Sequence, residues 1–202
     1  MIYLFYILFG YLSGSVIYAW LIPKYICGID TTQLSDDNNP GAFNAFKYAG
    51  TSVGILVIIL ELAKGFIPVF FATKALDTGH LLFALVLAAP VIGHAFPLFQ
   101  IKKGGKAIAA SFGCLLGLFP NILPVAILAA FYLLFSLIII IQPHLLRTII
   151  TFVCLSAGSI LTVNETSIII GTVIISSVVI LKHIMKYEKE PVSIRFLRSR
   201  NR

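Results

Sequence analysis

The sequence predicts an all-α integral membrane protein of seven transmembrane helices, with its N-terminus outside and its C-terminus in the cytoplasm. Three observations carry that prediction. Of the 202 residues, 59% are hydrophobic and 11% charged, with a mean hydropathy of +1.00, whereas soluble domains carry roughly 25% charged residues. The apolar residues fall in runs long enough to cross a bilayer core of about 30 Å, which takes about 20 residues of helix. The basic residues flank those runs and, for one choice of span number, gather on one side. A soluble fold of this length could not bury so much apolar surface, and disordered chains are poor in apolar residues. The net charge of +7 gives little support to nucleic-acid binding, because it sits at the edges of apolar runs.

The spans follow in order. Ile2–Ile22 is the first; without the basic stretch that opens a cleaved signal peptide, it reads as a retained helix. A cytoplasmic loop of 27 residues, Lys24–Gly50, comes next, and loops this long are usually functional or disordered. Thr51–Thr73 is the second span, with Glu61 and Lys64 inside it, and Leu81–Phe99 is the third. Ala107–Ile141 carries no charge and as one helix would be roughly 52 Å long. Phe119-Pro120-Asn121 favours a break, which makes the run two short spans. Thr148–Val163 and Thr166–Leu181 complete the set, and a basic tail, 182–202, follows.

Counting charges decides between six spans and seven. With the break, 13 lysines and arginines lie on one side and Lys74 alone on the other, while Lys64 lies within a span. Six spans would divide Arg147 from the basic tail. The positive-inside rule therefore favours seven, in one transmembrane domain over 1–202 of a multi-pass cell-membrane protein. No internal repeat is visible, which weakens a transporter built from inverted halves. Cys27, Cys114 and Cys154 form no close pair, so neither a metal site, a redox motif nor a disulfide framework is expected.

Four features stand out from the apolar background. In the long loop, Asn39-Pro40-Gly41 is turn chemistry ahead of Asn44 and Lys47. Gly93-His94-Ala95-Phe96-Pro97 precedes Lys103-Gly104-Gly105-Lys106, where successive glycines can converge backbone N–H groups on an anion beside a lysine; a turn rich in positive charge is the plainer reading. His94 alone could be a core histidine bonded to a helix neighbour. Glu61 and Lys64, three residues apart, share a helix face and read first as a structural pair, since intramembrane charges usually pair in the bundle interior. Lys182, His183 and Lys186 begin the tail, whose basic residues suit anchoring to anionic membrane lipids; His183 could reach a site built by the cytoplasmic loops. All but the Glu61–Lys64 pair fall on the cytoplasmic side. They suit a reaction between a lipid-soluble donor and a phosphate-bearing water-soluble acceptor.

At these residues the chain resembles the bacterial acyl-phosphate:glycerol-3-phosphate acyltransferase family (PlsY). Gly14-Ser15 looks like the family's opening G-S. Asn39-Pro40-Gly41-Ala42-Phe43-Asn44 is similar to its N-x-G-A-T-N core, and Glu61-Leu62-Ala63-Lys64-Gly65 to a D-x-x-K-G stretch. Gly93 to Phe99 followed by Lys103-Gly104-Gly105-Lys106 resembles its G-H-x-F-P-x-F…K-G-G-K signature. The resemblance implies a seven-helix enzyme, with no metal or organic cofactor, that moves a fatty acyl group from acyl-phosphate to the 1-hydroxyl of sn-glycerol 3-phosphate. The products would be lysophosphatidate and inorganic phosphate.

Carried over residue by residue, the resemblance implies that Lys106 and the Gly104-Gly105 backbone hold phosphate. Asn39, Gly41, Asn44, Lys47 and His94 would contact substrate, with His183 at the catalytic edge. Four of the implied site positions depart from the pattern: Asp37, counted with Lys106 and His183 among the catalytic residues, replaces a serine, and among the substrate-binding residues Lys47 replaces an arginine, Cys154 a serine and Lys186 an asparagine. Asp37 and Lys186 would balance in charge, and they are expected to pair across the cytoplasmic mouth. Two other classes stay open on sequence alone. One is a paralogue that binds glycerol phosphate or acyl-phosphate without turnover; the other is a small transporter resting on Glu61 and Lys64.

Overall fold

The structure, a computed structural model, describes residues 1–35, 38–99, 104–186 and 191–196. Asp37, Lys102, Lys103 and the tail beyond Phe196 lie outside the described residues. The described chain is mostly helical: α1 (Ile2–Ser15), α2 (Tyr18–Cys27), α3 (Thr31–Leu34), α4 (Ala42–Ala49), α5 (Thr51–Ala75), α6 (Phe83–Ala95), α7 (Ile108–Leu116), α8 (Leu123–Leu133), α9 (His144–Thr162) and α10 (Thr166–Met185). Among the described residues, four stretches are long and apolar enough to cross a membrane: Ile2–Cys27, Thr51–Ala75, His144–Thr162 and Thr166–Met185; Phe83–Ala95 and Leu123–Ile138 are shorter apolar helices.

The first apolar run is not one continuous helix, as the sequence suggested. It breaks at Val16 and Ile17, between α1 and α2, and two groups on α5 satisfy the freed backbone. Lys64 Nζ donates to the Val16 carbonyl at 2.8 Å, and the Ala19 N–H donates to Glu61 Oε1 at 3.0 Å. Broken helices are tolerated at membrane depth only where such partners exist.

The uncharged run from Ala107 does divide. α7 ends at Leu116 and α8 starts at Leu123, with turns between them around Pro120. Its far end corrects the all-helical expectation. After α8 the chain makes a π-helical turn, Leu134–Ile138, and then a strand, β1 (Ile139–Gln142). β1 pairs antiparallel with β2 (Ser193–Phe196), in the register Ile139 to Phe196 and Gln142 to Ser193. Four consecutive isoleucines, three of them in β1, favour a strand, and Pro143 ends it before α9.

Packing is closest where small residues let backbones approach, as membrane helices require. α1 lies on α6: a Cβ at Gly14 would run into the Pro90 carbonyl, and one at Gly93 into the Tyr11 carbonyl. α5 meets α7 likewise, with Gly113 against the Leu62 carbonyl. Leu87, Leu115, Leu128, Phe152, Leu155 and Ile175 are fully buried between the helices, whereas Leu4, Phe5, Ile55, Ile59 and Leu133 are exposed. Apolar side chains on the outside suit a surface whose solvent is lipid.

Candidate active site

At one end of the bundle, the long loop meets the C-terminal ends of α6 and α10 and the N-terminal ends of α7 and α9. They enclose a cavity of about 790 Å³. Local chemistry explains how each segment arrives there. Asp30 caps α3 by accepting from the Thr32 N–H and hydroxyl. After α3 the chain turns through Asn39-Pro40-Gly41 into α4, and the Asn44 amide donates to the Asn39 carbonyl at 2.8 Å. Gly50, at a φ of +91°, then sends the chain from α4 into α5.

Asn39 joins two sequence motifs. Its side-chain oxygen accepts the Lys106 N–H at 3.2 Å, which ties the long loop to the Gly-Gly-Lys segment. Asn39 is buried, and Asn39, Gly41, Asn44, Lys47, Lys106, His94, His183 and Lys186 all line the cavity. Lys47, on α4, has its Nζ 4.8 Å from the centre of the Tyr48 ring. Lys186 donates to the carbonyl of Asn38, the residue after Asp37 in the chain, at 3.2 Å. Asp37 itself, and therefore its pairing with Lys186, falls outside the described residues.

One of the two glycine amides is not available to a nest of convergent amides. The Gly105 N–H donates to the His94 carbonyl at 3.1 Å, so that amide is already committed. A side chain at Gly105 would strike the His94 ring, and one at Gly104 the Ala95 carbonyl. These two positions are glycine because the loop lies directly on the end of α6, and that contact presents Lys106 to the cavity.

His94 is held by the buried ion pair. Its Nδ1 lies 3.0 Å from Glu61 Oε2 and 2.7 Å from Lys64 Nζ, and Lys64 and Glu61 are 2.6 Å apart. All three are buried. The triad locks α5, α6 and the α1–α2 break together at the cavity wall, which Glu61 and His94 line.

His183, near the end of α10, is almost fully buried, and its Nδ1 is 2.8 Å from the Val179 carbonyl. A carbonyl can only accept, so the proton sits on Nδ1 and Nε2 is the basic nitrogen. Its ring stacks on His144, with centroids 5.4 Å apart and planes 15° from parallel. His144, Arg147, Tyr48 and Tyr132 also line the cavity, and the sequence reading assigned none of them to it. The available signal was a histidine and an arginine three residues apart just after Pro143.

Cys154 is a correction. It is half-buried in α9 and is not among the described residues lining the cavity. It lies seven residues beyond Arg147, about 10 Å further along the helix. Among the described residues, no group of three or more His, Cys, Asp or Glu side chains is placed to hold a metal ion.

Comparison with known proteins gives a consistent result. A family model described as glycerol-3-phosphate acyltransferase matches residues 4–189. A glycerol-3-phosphate acyltransferase of Endomicrobium trichonymphae is 31% identical over 91% of this chain and 89% of that protein. One from Thermotoga petrophila is 41% identical, but the match spans only about half of each chain, 52% in both. Among solved structures, a crystal structure of PlsY (YgiH), an integral membrane glycerol 3-phosphate acyltransferase in its glycerol 3-phosphate form, superposes with a TM-score of 0.79 at 25% identity. That match covers 92% of this chain and 90% of the other.

Proposed function

The chain belongs to the glycerol-3-phosphate acyltransferase family, and from that premise we propose that it transfers a fatty acyl group from acyl-phosphate to the 1-hydroxyl of sn-glycerol 3-phosphate. The observation that carries the reading is the cavity itself. Three lysines, Lys47, Lys106 and Lys186, share it with the apolar side chains of Ile58, Leu62, Ile108, Phe112 and Leu116. That combination accepts two phosphates and one fatty chain.

In the reaction the acceptor hydroxyl attacks the acyl carbon. A new ester C–O bond forms, the mixed-anhydride C–O bond breaks, and inorganic phosphate leaves with the bonding pair. His183 Nε2, the basic nitrogen of a ring oriented through Nδ1, takes the hydroxyl proton. Lys106 and Lys47 hold phosphate oxygens and offset the charge that gathers on the leaving group. Asn39 and Asn44 hold the loop that carries Lys47 against Lys106. Holding both substrates in one cavity makes the attack effectively unimolecular.

In the same reading the bundle crosses the membrane seven times as one domain, with α7 and α8 as two of the spans. The positive-inside rule puts the cavity mouth and the C-terminus in the cytoplasm and the N-terminus outside. The mouth then opens where water-soluble glycerol phosphate is available. The direct test is Lys106→Ala in purified protein: losing a charge-assisted hydrogen bond should lower kcat/KM roughly 10- to 100-fold. Unchanged kinetics would remove Lys106 from the site.

A further inference from the structure

Arg147 has no role in the mechanism above. It stands in the first turn of α9, three residues after His144, and lines the cavity wall. Its Nε is buried and has no hydrogen-bond partner among the described residues. A buried N–H left unsatisfied is costly and calls for a partner. Lys47, Lys106 and Lys186 are point charges, whereas a guanidinium is a planar fork that matches two oxygens of a phosphate.

The neighbours of Arg147 indicate which phosphate. On α7, Ile108, Phe112 and Leu116 recur every four residues and all line the cavity, an apolar stripe about 12 Å long. Tyr132 of α8 stands edge-on to Phe112, with 5.9 Å between ring centres, and is within electrostatic reach of Arg147. Leu116 is 41% exposed and Ile58 37% exposed, so the apolar wall continues onto the outer, lipid-facing surface. A forked cation sharing its cavity with an apolar track that opens to lipid has the form of a site for an anionic amphiphile. Glycerol phosphate needs no such track.

We propose that Arg147 is the headgroup clamp for the acyl donor: its guanidinium grips the phosphate of a long-chain acyl-phosphate whose tail lies along Ile108, Phe112 and Leu116. Lys47, Lys106 and Lys186, which line the same cavity, bind the acceptor's phosphate without it, while Lys106 and Lys47 also offset the charge on the leaving phosphate. The choice of acyl-phosphate rests on the acyl-transfer reading above; the clamp on an alkyl-chain phosphate does not.

Two measurements separate the clamp from that reading. In steady-state kinetics, Arg147→Gln should raise KM for palmitoyl phosphate roughly 10- to 100-fold while KM for glycerol 3-phosphate stays within about twofold. Arg147→Lys, which keeps the charge and loses the fork, should recover only part of the loss. Binding is read separately, as stabilisation of the full chain against heat in nonionic detergent, with dodecyl phosphate as probe and dodecanol as the apolar control. Arg147→Gln should weaken dodecyl phosphate binding by the same factor and leave dodecanol unchanged. If the wild-type protein forms no lysophosphatidate yet shows this loss, acyl transfer fails and the clamp stands. Equal dodecyl phosphate affinity in both proteins, a KM increase confined to glycerol 3-phosphate, or an equal loss of both probes would each overturn the clamp.

Discussion

Replacing Lys64 by methionine should unfold the protein far more readily than any surface change. Lys64 Nζ lies 2.6 Å from Glu61 Oε2 and donates to the Val16 carbonyl at 2.8 Å. Removing it leaves the Glu61 carboxylate buried without its main counter-charge and orphans a carbonyl at the helix break. Breaking a buried ion pair from one side costs about 3–5 kcal/mol, and the orphaned carbonyl adds about 1–3 kcal/mol where the two effects do not overlap. The double variant Glu61→Leu/Lys64→Met removes both charges at once. The Val16 carbonyl, the Ala19 N–H and His94 Nδ1 then lose partners, at about 1–3 kcal/mol each, so the double variant should lose clearly less than the sum of the two single losses. Thermal unfolding of detergent-solubilised protein, followed by fluorescence of the single tryptophan, Trp20, measures the series. If Lys64→Met stays within about 1 kcal/mol of wild type, or the double variant loses the sum of the two single losses, the triad is not the structural lock described here.

Further outcomes follow from the site. Gly105→Ala should abolish most activity, because the new methyl collides with the His94 ring, which Glu61 and Lys64 hold in place; wild-type rates in that variant would contradict the close approach. Asp37→Ser and Lys186→Asn should each impair turnover more than the two together, given about 4 kcal/mol between unit charges at 4 Å and an effective dielectric near 20. Additive losses in that cycle would reject the pair. A topology reporter fused after Arg202 should be active only on the cytoplasmic side, and activity outside would overturn the seven-span reading.

Much of the bundle was legible because hydropathy and charge act locally. The break between α7 and α8 followed from Pro120, and the Glu61–Lys64 pair followed from its three-residue spacing. What escaped depended on distant partners. The α1–α2 break carries no proline or glycine at Val16 and Ile17; it persists because α5 supplies the partners for its backbone. The Ile139–Gln142 strand looked like the end of an apolar helix because its pairing strand lies some fifty residues further on. Motif position assigned Cys154 to the site, yet the cavity is lined by the first turn of α9 and Cys154 lies deeper along the helix. Arg147 was visible only as a charge that helped fix orientation. Its place in the cavity wall depends on how α9 packs against α8 and α10.

The central claim is acyl transfer between two phosphate-bearing substrates in one cavity, and product formation tests it most directly. Purified full-length protein in lipid nanodiscs, supplied with palmitoyl phosphate and isotope-labelled sn-glycerol 3-phosphate, should release labelled 1-acyl lysophosphatidate and inorganic phosphate in equal amounts, with no added metal or cofactor. Phosphate release without labelled lipid, or binding of both substrates with no product from a well-folded preparation, would contradict it.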